Sequence, residues 1–316
     1  MAAGYTQAQL VAEARRRGYR ISPKLIERWV TLGLIDQADA TGRGRGKGVE
    51  RRWPEHQRQL FLRLLDQHQH AHTMRALTNV PVLVWLLWGE DWVPLRQVRR
   101  CMETYCQATR DPRTFRGTAW AATLVRRLAR PGTRGRDREL LADELLTLVR
   151  TGELHETDLR HLLTEVVGPD DPAAQLDGRR AYEIVLAQWR LLTHFYELTD
   201  AHYGWARAWY LYGQADYATA HKELAADPRF GGLHEPFDFQ HVANSAAENL
   251  RFILALALDP EGQDGGLPEA LRLETWLAGR AHLRTDVNVH VSPLILPAGV
   301  PNAGLAIAVH IDVDPA

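Results

Sequence analysis

Four polar residues recur at helical spacing near the amino end of the chain. Lys24, Glu27, Arg28 and Thr31 occupy positions i, i+3, i+4 and i+7, which places them on one face of a helix. Lysine and arginine pair with guanine edges, and a glutamate accepts a hydrogen bond from cytosine. The stripe is therefore a candidate surface for reading base pairs. An ordinary amphipathic helix with a solvated face is the alternative.

Two short helices are predicted to position this stripe. Thr6 can cap a first helix over residues 7–17, which Gly18 ends. Ser22 followed by Pro23 predicts the start of a second helix, because serine can accept the orphan amide hydrogens and proline at the first position loses no hydrogen bond. The N-terminal amides of that helix can hold a phosphate. Its apolar side gathers Leu25, Ile26, Trp29 and Leu32.

A basic, glycine-rich segment follows the second helix. Residues 42–48 alternate glycine with Arg43, Arg45 and Lys47, which is typical of a tight turn. Residues 49–53 can return as a strand, whose Arg51 and Arg52 add to the basic residues of the tip. Such a hairpin would grip a phosphate backbone without reading sequence. A flexible basic linker is the alternative.

Residues 5–66 resemble the MerR and excisionase-like superfamily of winged helix-turn-helix proteins. The matching residues are Tyr5, Thr6, Ile21, Ser22, Arg28, Trp29, Gly33, Leu34, Ile35, Arg52 and Trp53. The resemblance implies that the second helix enters the major groove, that the wing lies on the backbone, and that the protein regulates transcription as a dimer. It covers about one fifth of the chain. Members of the MerR type usually carry an arginine where this chain has Glu27, and a clear dimerising heptad repeat after residue 66 is missing.

The charge is segregated along the chain. Residues 1–138 hold 26 Lys and Arg against 12 Asp and Glu, whereas residues 139–316 hold 12 against 27. The net charge of −1 conceals this division. A basic half suits contact with a polyanion, so double-stranded DNA is the expected partner. The acidic half can also pair with the basic half at rest, which is an autoinhibition hypothesis.

The sequence predicts a mainly α fold in four regions. Residues 1–75 form the winged helix-turn-helix, 76–138 a basic helical connector, and 139–283 an acidic helical effector or oligomerisation domain. Residues 284–316 alternate apolar and polar positions on two arms, which predicts a β-hairpin whose apolar face either the helical module or a second subunit can cover. A homodimer is the expected assembly. No bilayer-length apolar run or signal sequence is present, and the two cysteines are sparse, so a cytoplasmic protein without membrane contact is expected.

Several further residue groups admit two interpretations. Arginines between 126 and 138 suit either a second phosphate-contacting surface or a solvated hinge. Aromatic residues between 182 and 217 suit a pocket for a small-molecule effector, but helical periodicity favours an ordinary core. His68 and His72 can share a metal ion, yet no third ligand follows, so a solvated helix end is favoured. Cys101 and Cys106 are too far apart around a helix for a disulfide, and ordinary buried cysteines are favoured over a thiol sensor.

Enzyme motifs are absent from the sequence. There is no phosphate-cradling glycine loop ending in Lys-Ser/Thr, no Gly-x-Ser-x-Gly elbow, no His-Glu-x-x-His and no cysteine pair at zinc spacing. No catalytic residue, cofactor or metal is therefore assigned. The leading interpretation is a sequence-specific DNA-binding transcriptional regulator. The alternative is an excisionase-like or partition-like architectural protein that bends or bridges DNA.

Overall fold

The computed structural model describes most of the chain. The described residues are 4–42, 49–68, 76–111, 116–171, 173–174, 176–226, 239–259, 269–279, 288–291 and 309–312. Within them the fold is mainly helical, in agreement with the mainly α prediction. No helix of the described part has the length and apolarity that a membrane crossing requires.

The N-terminal module, residues 4–42 and 49–68, contains three helices and one pair of strands. In chain order these are α1 (Gln7–Arg16), α2 (Pro23–Thr31), β1 (Asp39–Gly42), β2 (Val49–Arg52) and α3 (Glu55–His68). Thr6 caps α1 as predicted, since its hydroxyl accepts from the Gln9 amide while the Gln9 side chain accepts from the Thr6 amide. The two strands pair antiparallel. The rest of the hairpin, 43–48, lies outside the described residues.

In the rest of the described residues, nine more helices and a second strand pair follow. The helices are α4 (Asn79–Trp88), α5 (Leu95–Arg110), α6 (Arg116–Leu128), α7 (Gly135–Thr151), α8 (Glu156–Val166), α9 (Gly178–His194), α10 (Asp200–Ala226), α11 (Phe239–Ala257) and α12 (Leu273–Gly279). Strands β3 (Asn288–Val291) and β4 (Val309–Asp312) pair antiparallel, with Val289 opposite Ile311. Short 3-10 helices cover Ala76–Thr78, Gly89–Asp91, Phe195–Glu197 and Glu269–Leu271.

The chain divides into two compact units that are discontinuous in sequence. Unit 1 contains residues 1–104, 207–250 and 280–316, and unit 2 contains residues 105–206 and 251–279. The bounds of these units differ from those of the four regions predicted from the sequence. Unit 1 therefore includes the N-terminal module together with α4 and the first part of α5.

Helix α4 forms the centre of unit 1. Every residue from Val80 to Leu87 is buried, so this helix has no solvated face and is a core element rather than a surface one. Arg207 caps its carboxyl end, because its Nε donates to the carbonyl oxygens of Trp85 and Leu86 at 3.0 Å. Burial lowers the pKa of this guanidinium, so the carbonyl contacts offset part of its desolvation.

Helices α6 to α9 of unit 2 pack in the order of the sequence. Helix α6 packs against α7, α7 against α8, and α8 against α9, and their buried side chains are mostly leucine, valine and alanine, with Trp120 and Tyr182 among them. Asp177 starts α9 by accepting the amide hydrogens of Arg180 at 2.8 Å and Asp171 at 3.1 Å. These two donors lower the pKa of the Asp177 carboxyl, because both stabilise its ionised form.

Candidate nucleic-acid interface

Helix α2 presents the predicted polar stripe to solvent. Lys24, Glu27, Arg28 and Thr31 are all exposed, while Ile26 and Trp29 on the opposite side are fully buried. The Thr31 hydroxyl donates back to the Glu27 carbonyl oxygen at 3.1 Å. Among the described residues, Lys24, Glu27 and Arg28 make no ion pair. Their charged ends are therefore available to a partner.

The start of α2 differs in one detail from the sequence prediction. Ser22 has the extended backbone of an N-cap residue, but its side chain makes no capping hydrogen bond. Its carbonyl oxygen instead accepts from the Leu25 amide at 3.0 Å. The Gln7 side chain donates to the Pro23 carbonyl oxygen at 3.0 Å. Helix α1 thus holds the first turn of α2, and the Ser22 hydroxyl does not compete for its amides.

The end of α2 is held by α5. Gly33 turns the chain with a φ of 78°, a conformation that glycine adopts at little cost. Three α5 side chains donate to main-chain oxygens along this turn: Arg100 to Val30 at 3.2 Å, Cys101 to Gly33 at 3.1 Å and Thr104 to Leu32 at 3.3 Å. Since orphan carbonyls at a helix end need donors, α5 completes the second helix rather than merely following the module.

A polar network around Asp36 ties the module together. The amide of Asp36 donates to Gln57 on α3 at 2.8 Å, and its carbonyl oxygen accepts from the Trp53 indole at 2.8 Å. Its buried carboxylate binds the Arg96 guanidinium through both oxygens. This pairing raises the pKa of Arg96. The side-chain amide of Gln57 also donates to the side-chain oxygen of Gln97 at 3.0 Å. Helix α3, the hairpin end and α5 are thereby fixed to one another.

The two arginines on strand β2 have different surroundings. Arg51 is exposed and pairs in register with Ala40. Arg52 donates to the Gly4 carbonyl oxygen at 2.6 Å and pairs with Glu50 at 3.1 Å. Arg52 therefore holds the segment at Gly4 against strand β2, a structural role that the sequence did not indicate. The predicted phosphate ligands Arg43, Arg45 and Lys47 lie outside the described residues.

A shallow concavity opens between the end of α1 and the start of α2. It has a volume of about 600 Å³ and is lined by Arg15, Arg20, Ile21, Ser22 and Leu25. Arg15 and Arg20 are both exposed. Their position beside the α2 N-terminus adds two cations to the surface that carries the polar stripe.

Side-chain contacts brace α1 against α3. The Tyr19 hydroxyl donates to the Asp66 carboxylate at 2.6 Å. Burial, followed by this hydrogen bond, raises the pKa of Tyr19 to about 12. Arg58 on α3 pairs with Glu13 at 2.8 Å and lies 4.9 Å from the centroid of the Tyr5 ring. The helix with the polar stripe therefore belongs to a module that several long-range contacts hold together.

The other residue groups singled out in the sequence behave as core or surface. Tyr203 and Trp205 are at most 2% exposed, as the core interpretation expects, whereas Tyr196 is 69% exposed. Both cysteines are buried and form no disulfide. His68 is exposed at the end of α3, and His72 lies outside the described residues. The described residues contain no group of three or more metal-ligating side chains.

Comparison with known proteins returns no relative. No family model matches the chain, and neither a curated protein nor a solved structure matches it.

Proposed function

We propose that this protein binds double-stranded DNA in a sequence-specific way and regulates transcription. The N-terminal module is interpreted as a winged helix-turn-helix in which α2 enters the major groove. Lys24, Glu27, Arg28 and Thr31 then read base edges. Arg51 and the hairpin-tip residues Arg43, Arg45 and Lys47 contact phosphates on the flanking backbone.

The observation that carries this proposal is an exposed polar stripe on a helix that is fixed at both ends. Base reading depends on hydrogen bonds of defined geometry, so it requires a rigid scaffold behind the contacting side chains. The Gln7 contact holds the start of α2, and the α5 side chains hold its end.

The charges around α2 agree with the same interpretation. Arg15, Arg20 and Arg51 are exposed, and within the described residues none of the three makes an ion pair. By contrast Arg52, Arg58 and Arg96 are paired with carboxylates. The arginines around α2 named here therefore divide into those that hold the fold and those that remain available for phosphates.

The proposal includes a homodimer, since two-fold symmetric regulators recognise inverted half-sites. Selection of bound duplexes from a random pool, using the full chain, tests both parts. A single enriched motif in inverted repeat supports a dimeric regulator. Several phased sites within one fragment support the architectural alternative instead. A pool without enrichment after repeated rounds contradicts sequence-specific binding.

A further inference from the structure

A second group of arginines lies in unit 2, where α6 ends and α7 begins. We call it the α6–α7 arginine cluster and define it as Arg126, Arg130, Arg134, Arg136 and Arg138. All five residues are exposed. They fall within thirteen positions, and the N-terminal module contains none of them.

The turn that carries this cluster is fixed by hydrogen bonds. The Arg130 amide donates to the carbonyl oxygen of Val166, the last residue of α8, at 3.1 Å. The Thr133 hydroxyl lies 2.9 Å from the same oxygen and 2.8 Å from the Arg130 carbonyl oxygen, and it shares its one hydrogen between these two acceptors. These contacts with a distant helix hold the turn in place, so the arginines project from a defined surface.

The guanidinium groups of the cluster are not paired with carboxylates, although Asp137 lies in the first turn of α7. Within the part of the chain that the structure describes, none of the five makes an ion pair. Three other exposed arginines of unit 2 are paired at short distance, namely Arg160 with Glu156 at 3.0 Å, Arg179 with Glu183 at 3.2 Å and Arg272 with Glu269 at 2.8 Å, whereas the exposed Arg110 and Arg150 make no ion pair with a described residue. Like charges that stay unpaired repel one another, so a polyanionic partner would relieve this repulsion.

The chemistry of the cluster favours phosphate groups on a nucleic acid. Every cation in it is arginine, whose planar guanidinium binds phosphate through two parallel hydrogen bonds. Helix α7 is 17 residues long, and Arg134 at its N-cap makes no side-chain capping bond, so the positive end of the helix dipole adds to the same field. The exposed uncharged residues between Arg126 and Arg138 are Pro131, Gly132 and Gly135. They offer no bulky apolar side chain for insertion into a lipid surface, and the exposed Leu140 on α7 is a single apolar side chain.

We propose that the α6–α7 arginine cluster contacts backbone phosphates of double-stranded DNA and reads no bases. The inference rests on the proposed function, which supplies duplex DNA as the partner. Contacts of this kind add affinity equally on every sequence and increase the salt dependence of binding. Unit 2 is thereby assigned a direct part in DNA binding.

The test compares two triple variants of equal charge. The first, R130Q/R134Q/R136Q, removes arginines of the cluster, and the control, R160Q/R179Q/R272Q, removes paired exposed arginines of the same unit. Affinity for a selected duplex and for a random duplex is measured by fluorescence anisotropy over a series of salt concentrations. Circular dichroism verifies that both variants fold.

The cluster variant is expected to lower the slope of log affinity against log salt by about two to three, since each lost phosphate contact removes about 0.9. Its affinity should fall by a similar factor, roughly tenfold or more, on both duplexes, while the control keeps the slope of the original chain. An unchanged slope in the cluster variant overturns the inference. A loss confined to the selected duplex also overturns it, because it would mean base reading.

A third variant, K24A/R28A/R51A, separates this inference from the proposed function. If this variant loses preference for the selected duplex while the cluster variant binds like the original chain, the proposed function stands and the inference fails. If only the cluster variant loses binding, the inference stands and the N-terminal interface fails. Binding to vesicles that contain phosphatidylserine is measured in parallel. Loss of vesicle binding without a change in the DNA slope would assign the cluster to a membrane and overturn the inference.

Discussion

A Cβ atom placed on Gly33 would lie 2.9 Å from the backbone nitrogen of Cys101. The turn after α2 therefore lies directly against α5, at a distance that only glycine permits. We predict that Gly33→Ala destabilises the protein by about 2–4 kcal/mol, because it combines the cost of a positive φ with an overpacked backbone contact. Chemical denaturation followed by circular dichroism measures this loss.

Gly18→Ala is the matched control for this substitution. Gly18 has a φ of 87°, but a Cβ there meets nothing within 4 Å. Only the backbone cost applies, so the loss should be about 1 kcal/mol. Equal losses for the two variants would show that the approach of α5 contributes nothing to the stability of the turn.

Arg28→Ala should reduce sequence preference rather than general affinity. Arg28 is exposed on the stripe of α2 and makes no ion pair with another described residue. A bidentate contact with guanine contributes about 1–3 kcal/mol of discrimination, so the variant should lose about tenfold or more on the selected duplex only. Arg51→Ala is the control, and it should weaken selected and random duplexes alike. Equal losses on both duplexes for Arg28→Ala would refute its base-reading role.

The contact between Tyr19 and Asp66 predicts a loss of stability at alkaline pH. The pKa of Tyr19 rises from 10.0 to about 12 in the folded state. A raised pKa stabilises the fold fully below pH 10, and this contribution disappears as the pH rises through 12. Tyr19→Phe should lower stability near neutral pH by about 0.5–1.5 kcal/mol and flatten part of the alkaline decline.

Burial also raises the pKa of Tyr210 to about 12, so the Tyr19→Phe variant still loses some stability at alkaline pH. Urea denaturation between pH 8 and 12 gives the free energy of unfolding of the original chain and of the variant. The two curves are expected to converge at high pH. Curves that stay parallel over this range would show that the Tyr19 hydroxyl does not titrate differently in the folded and unfolded states.

Asp177 predicts a complementary loss at acid pH. Backbone amides of Arg180 and Asp171 lower the pKa of its carboxyl below the ordinary value of 3.8. A lowered pKa stabilises the fold above that value, and the contribution is lost as the pH falls through the folded-state pKa. Asp177→Ala removes this cap of α9 and should cost about 1 kcal/mol at neutral pH. The difference from the original chain should vanish at acid pH.

Asp143→Ala provides the control for Asp177, because Asp143 is an exposed residue inside α7. It changes the net charge equally and should alter stability by less than about 0.5 kcal/mol. A variant of Asp177 that behaves like this control would mean that the two amide contacts do not stabilise α9.

Local signals in the sequence predicted the first two helices well. Thr6 and Pro23 mark helix starts by mechanisms that act within a few residues, and the spacing of Lys24, Glu27 and Arg28 defines a face of α2 whatever lies behind it. The mainly helical class followed from the same periodicity. The structure shows this stripe exposed and its opposite side buried.

The contacts that support α2 could not be predicted in the same way. Asp36 and Arg96 are sixty residues apart in the sequence, and nothing in the local pattern of either residue identifies the other. The same applies to the two contacts of Arg52 and to the acceptor oxygen of Val166 beneath Arg130. These pairings depend on how distant segments pack, so spacing rules cannot supply them.

The most direct test of DNA binding is a titration of the full chain against duplex DNA in dilute buffer, with the K24A/R28A/R51A variant beside it. Low salt strengthens phosphate contacts, so any electrostatic interface should be visible under these conditions. We predict that the full chain retards duplex probes and that the variant binds them more weakly and without sequence preference. Failure of the full chain to retard any double-stranded probe would contradict the proposed function.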